Sequence, residues 1–339
     1  MEPFVTRRTM LAGAAAVSLI VSAAATAHAA TAIDVGALRL VSHAPSFVAQ
    51  ERGYFAEEGL DVTFRFFEAA QPMAVAIASG DVDYGVTAIS GGLVSLAEKG
   101  AIKVIGGALQ EEKGIDGQMV LASDEAFAAG LDHPSKLGGH TFGMTTAGSS
   151  FHYMAAKIAQ AEGLDDLELK PLQQVGAIIG ALKSNQIDAW AIVPHIAKAL
   201  VASGAAHEIG RIADYLPDYQ VTTIFTSAEN AADERETTVA FLRAFAKGAA
   251  DFNAALVDRT AGEKAADEMV ALIHGYVYSD KPLEEAAPSI RNGAMRSNEG
   301  AALNLTSVRD QLDWFKAEGL VKPGITIETL VDDTYVEIR

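Results

Sequence analysis

Residues 43–67 read HAPSFVAQERGYFAEEGLDVTFRFF. Pro45 stands where the first turn of a helix needs no backbone N–H, so a helix is predicted over Pro45–Glu58. Gly59 then ends it, because a glycine accepts the left-handed conformation that closes helices. Asp61–Phe67 follows as a β-branched and aromatic strand, and residues 34–42 (DVGALRLVS) read as another strand upstream. Further along, residues 71–79 and 93–99 read as helices and residues 82–87 and 102–109 as strands. Short strands that alternate regularly with amphipathic helices predict an α/β fold built on a doubly wound, largely parallel sheet.

A second series repeats the alternation. Strands are expected at 118–122, 141–144, 167–172, 187–192 and 207–209, with helices at 149–162, 175–184 and 194–203. Val221–Thr226 reads as a return strand, after which long helices are expected near 233–257, 261–275 and 305–319. No repeat of solenoid length and no low-complexity linker divides the chain. The expected architecture is two doubly wound α/β lobes with a ligand cleft between them. Lobe I would be discontinuous (30–117 and 225–339, with the C-terminal helices), and lobe II would span 118–224. The stretches 117–122 and 218–226 would join them.

The 339 residues carry 26 Lys+Arg against 44 Asp+Glu, a formal charge of −18. No basic excess is available for phosphates, which argues against nucleic acid and against anionic membrane surfaces. Cysteine is absent, which removes disulfides, thiol nucleophiles and Cys-ligated metals. At the N-terminus, Arg7-Arg8 precedes an uncharged apolar run, and Ala27-His28-Ala29 offers small residues for cleavage. Residues 1–29 therefore read as a twin-arginine export signal peptide rather than a membrane anchor, and the remainder as a periplasmic protein.

Four segments resemble type II periplasmic solute-binding proteins of the sulfonate, taurine and thiamine-pyrimidine-precursor group. They are Pro45–Ala49 (PSFVA) followed by Glu51-Arg52-Gly53-Tyr54-Phe55 and Glu57–Val62; Ala76–Gly85 (AIASGDVDYG); Leu137–Gly143 (LGGHTFG); and Ala181-Leu182 with Gln186–Ala189 and Pro194. The resemblance implies a receptor that closes on a small solute and serves an ABC importer, with an inner-membrane permease and its ATPase as partners. The solute classes it leaves open are a sulfonate-like anion, an aromatic acid and a pyrimidine-type heterocycle.

In open α/β sheets, ligands bind beyond the carboxyl ends of strands, near free helix N-termini. That rule selects His43, Ser46 and Phe47 after the first strand, and Thr87 and Ser90 after the third. In the second lobe it selects Thr146, Ser149, Ser150 and His152, then Trp190 and His195. Ser149 also reads as a plain N-cap, while Phe47, Phe151 and Trp190 also read as core. His43, His152 and His195 lack HxH or HExxH spacing, so they read as hydrogen-bonding groups rather than metal ligands, and no cofactor is expected. The loops 42–47, 87–92 and 145–152 contain no Arg or Lys, so no guanidinium clamp on a carboxylate is visible.

Binding without chemistry is the expected function, by a monomer. The alternatives are a thiamine-pyrimidine-synthase-like enzyme and a ligand-binding sensor module. The enzymes of that group carry a cysteine-rich motif, which a chain without cysteine cannot supply. No Gly-x-Ser-x-Gly elbow occurs either.

Overall fold

The computed structural model describes Met1 and residues 29–339; the export signal expected over residues 1–29 lies almost wholly outside the described residues. The strands, in chain order, are β1 (Thr31–Ala37), β2 (Leu60–Phe66), β3 (Tyr84–Thr87) and β4 (Ile102–Gln110), then β5 (Met119–Ser123), β6 (Thr141–Met144), β7 (Glu168–Pro171), β8 (Ala189–Ile192), β9 (Ala206–Arg211) and β10 (Gln220–Ser227). They form two five-stranded sheets, ordered β2-β1-β3-β10-β4 and β7-β6-β8-β5-β9.

Each sheet is largely parallel, as expected, but carries one reversed strand. β1 pairs in parallel with β2 and β3, but β10 lies antiparallel between β3 and β4. In the second sheet β5 lies antiparallel between β8 and β9. The cause is connectivity. β4 passes into β5 through residues 111–118, and β9 returns to β10 through 212–219, neither with a crossover helix. A strand that arrives without such a crossover can enter a sheet reversed. The stretches expected to link the lobes, 117–122 and 218–226, are therefore mostly strand, and all of β10 belongs to the first sheet.

Glycines set the local boundaries near the N-terminus. Gly53, at φ 77°, divides the expected Pro45–Glu58 helix into Ala44–Glu51 and Tyr54–Glu57, and Gly59, at φ 76°, closes the second piece. β1 ends at Ala37, five residues earlier than expected, and a 3-10 turn at Val41–His43 follows. The C-terminal region is helical as expected, except that one π turn (Asn253–Val257) ends the Arg235–Phe252 helix. A further helix, Leu283–Arg291, lies outside the expected set and carries Pro288 in its interior. Among the described residues no helix is long and apolar enough to cross a membrane.

Candidate functional site

β1 to β4 run in one direction, so their carboxyl ends share one edge of the first sheet; β6 to β9 do the same in the second. Two connected compartments lie between these edges. The inner one is small, about 70 Å³, and the outer about 430 Å³; Leu38, Leu40 and Val175 line both.

The inner compartment has no charged side chain in its wall. The first sheet's side contributes Ser42, His43 and Thr87; Thr222 enters at the start of β10, and Gln118 just before β5. Thr145, Ser149 and Ser150 complete the polar lining from the second sheet's edge. The first residues of the Ala70–Ala78, Ser150–Glu162 and Val175–Lys183 helices also reach it. Helix starts carry unpaired N–H groups and a partial positive charge, so this arrangement favours an anionic or acceptor-rich ligand without any cation in the wall. Gln118 Nε2 and Thr222 Oγ1 are buried without a partner, and a ligand acceptor would satisfy them.

The two serines at the start of Ser150–Glu162 divide the work. Ser149 Oγ accepts the His152 N–H at 3.4 Å and caps the helix. Ser150 makes no side-chain hydrogen bond among the described residues, which leaves its hydroxyl to the compartment.

His43 has one ring nitrogen committed: Nδ1 accepts the Leu38 N–H at 3.4 Å. Burial pushes its pKa down to about 3, so the ring is neutral at pH 7 and Nε2 carries the proton. His43 is a donor to the compartment, not a base. His195 lines the outer compartment instead; its Nδ1 lies 2.8 Å from Tyr278 Oη, and its Nε2 is buried without a partner. Its pKa is also pushed down to about 3, by burial first and then by nearby His43.

Other expected residues lie elsewhere, for packing reasons. Phe47 is fully buried and stacks on Tyr276, with ring centroids 4.4 Å apart, in a cluster behind the site. Ser46 is buried and lines neither compartment. Trp190 is fully buried one layer back, tilted against Phe151 at 5.4 Å; Phe151 lines the wall. Ser90 caps the Gly91–Glu98 helix through the Leu93 N–H at 3.2 Å. Thr146 yields its place to Thr145. His152 turns back, accepting the Gly148 N–H at 3.0 Å and meeting Trp314 edge-on at 5.0 Å.

Sequence reasoning missed Gln118 and Thr222 because only reversed strands bring them to the carboxyl edge. It missed Arg39 because the first strand was drawn to residue 42; with β1 ending at Ala37, Arg39 falls in the loop and lines the outer compartment. The reversal of β5 and β10 has no local sequence signal, whereas the Arg39 boundary does, in the Ser42-His43-Ala44-Pro45 start of the following helix.

The NMT1/THI5-like family model matches residues 41–255. No curated protein matches the chain in sequence. Among solved structures, the alkanesulfonate-binding protein SsuA from Xanthomonas axonopodis pv. citri, bound to MOPS, is similar at a TM-score of 0.70 and 16% identity, over 91% of this chain and 100% of that one. The periplasmic aliphatic sulphonate-binding protein SsuA from Escherichia coli gives 0.68 at 16% identity, over 89% and 97%. The periplasmic nitrate-binding protein NrtA from Synechocystis PCC 6803 gives 0.68 at 14% identity, over 88% and 84%. At these identities the likeness establishes the periplasmic binding protein fold.

Proposed function

The chain belongs to the NMT1/THI5-like family, and from that premise we propose that it is an extracytoplasmic receptor which closes two lobes on a small organic anion and delivers it to an ABC importer. The lobes correspond to the two sheets with their flanking helices, and closure occurs by rotation about the connections 111–118 and 212–219. The periplasm is the proposed location, reached through the twin-arginine signal.

The observation that carries this function is the inner compartment. It offers hydroxyls, an amide, a neutral imidazole N–H and helix N-termini, all of which donate to an acceptor. A sulfonate or carboxylate satisfies that set; a cation does not. His43 supports a binding role, since its Nδ1 accepts the Leu38 N–H and its other nitrogen is left as a donor. Relatives in fold that are named for sulfonate and nitrate binding support the same class of solute.

The test is the solute itself. Mass spectrometry of protein extracted from the periplasm identifies what co-purifies. A thermal-shift panel of sulfonates, nitrate, aromatic carboxylates and pyrimidines then ranks the classes, because a tight ligand raises apparent stability. Acidic members raise the melting temperature most if the proposal holds. A shift caused only by pyrimidines, or by no member of the panel, contradicts it.

A further inference from the structure

The outer compartment differs in chemistry from the inner one. Its walls are apolar, formed by Phe67 from one lobe and by Ile179, Ile196 and Leu200 from the other. Its rim carries Arg39, Lys183 and Lys281 against a single acid, Glu68. About two thirds of the described Lys and Arg pair with a carboxylate within 4.0 Å, Lys281 among them through Glu285 at 2.9 Å. Lys183 has no acidic partner within 4.0 Å among the described residues. Nor does Arg39, which instead lies 3.7 Å over the Phe66 ring and donates to the Tyr276 carbonyl at 3.1 Å.

A second feature marks the same space. Tyr278, which holds His195, has φ 62°, a left-handed backbone conformation that is costly for an aromatic residue. His195, 99% buried in the wall, keeps Nε2 without a partner. The compartment therefore combines an apolar slot, a buried imidazole nitrogen without a partner and two cations that no carboxylate neutralises.

Resting on the anion-receptor function proposed above, we propose that the outer compartment is a second subsite, and that the solute is an elongated organic anion: a polar head in the inner compartment, an apolar body in the outer one, and a second anionic group between Arg39 and Lys183. Small inorganic or one-carbon anions fill only the inner compartment and leave the apolar slot wet.

Titration calorimetry on the full chain separates the two levels with two probe series, methanesulfonate, benzenesulfonate and 4-sulfobenzoate, and acetate, benzoate and terephthalate. In at least one series the ring adds roughly tenfold or more in affinity, as burial of an aromatic group does. The distal carboxylate adds a further ~3- to 5-fold, as a partly exposed ion pair does. Lys183→Gln, at an exposed position, brings the ratio between the last two probes close to one, and Ile179→Trp, which fills the slot, removes the ring's gain. The inference is overturned if head-only probes bind as tightly as the longer ones, or if the distal gain survives both Lys183→Gln and Arg39→Gln. In either case the receptor function stands, because head-only probes still bind. If no probe of either series binds, the anion-receptor function falls and the subsite falls with it.

Discussion

Ser150 and Trp190 show how differently two side chains near the same cleft are used. Ser149 supplies the helix cap, so Ser150→Ala removes a hydroxyl from the inner compartment without removing the cap. A hydrogen bond to a charged group contributes about 1.5–3 kcal/mol, so the expected result is roughly tenfold weaker binding or more. The ligand-free melting temperature should stay near the wild-type value. Calorimetry alongside thermal unfolding checks both, and a lowered melting temperature with unchanged affinity would return Ser150 to a structural role. Trp190→Ala should do the reverse. A fully buried tryptophan leaves a cavity costing about 3–5 kcal/mol, read as a lower melting temperature. A Trp190→Ala protein that melts normally but binds poorly would mean that the indole reaches the solute.

Among the elements, the connections between the sheets hold a buried acid. Glu111 N–H donates to the Tyr219 carbonyl at 2.9 Å, tying the two connections together, and Glu111 Oε1 accepts the Gln118 N–H at 2.9 Å. Burial pushes its pKa up to about 7 from an ordinary 4.5. The folded chain thus binds a proton there that the unfolded chain releases, and the stability gained below pH 4.5 is lost as pH rises through 7. His43 and His195 have the opposite sign: folded values near 3 against 6.5 make stability fall as pH drops from 6.5 towards 3. Glu111→Gln should therefore raise the melting temperature more at pH 8 than at pH 5. Equal shifts at the two pH values would show that the carboxyl is not proton-bound in the fold.

The contact between Gly91 and Gly148 belongs to this scale too. Gly91 N–H donates to the Gly148 carbonyl at 2.9 Å, joining the helix after β3 to the loop after β6. Gly148 has φ 74°, and a Cβ there would come within 3.4 Å of Gly91 Cα. Gly148→Ala adds a left-handed strain of about 1–2 kcal/mol at a loop that the bound form must hold in place, so affinity should fall several-fold. Unchanged affinity would show that the two loops need not meet when the solute binds.

Much of this arrangement is legible in the sequence wherever a local rule controls it. Gly59, Gly100 and Gly163 mark helix ends, and Pro45 and Pro194 mark starts, so the alternation of elements reads correctly. Strand direction is not local: nothing in Val221–Thr226 says that it returns between β3 and β4. The same limit applies to the site. Hydroxyls in the loop before Ser150–Glu162 are visible as candidates, but which of Thr145 and Thr146 faces the compartment depends on packing. Phe47 and Trp190 sit near strand ends in sequence, yet each is drawn into a core by aromatic neighbours distant along the chain, such as Tyr276.

At the scale of the whole molecule, closure is the property on which everything else depends. The two compartments exist because both sheet edges face each other, and the Gly91–Gly148 contact together with the small inner volume fits the closed form of the proposed receptor. An open, solute-free form follows if solutes are to enter a space of about 70 Å³ enclosed by both lobes. Small-angle scattering before and after solute addition, on protein stripped by unfolding and refolding, tests this directly. The radius of gyration should fall on binding, and Gly148→Ala should need more solute to reach the compact value. A radius that stays fixed while calorimetry reports saturated binding would contradict a receptor that works by closing two lobes.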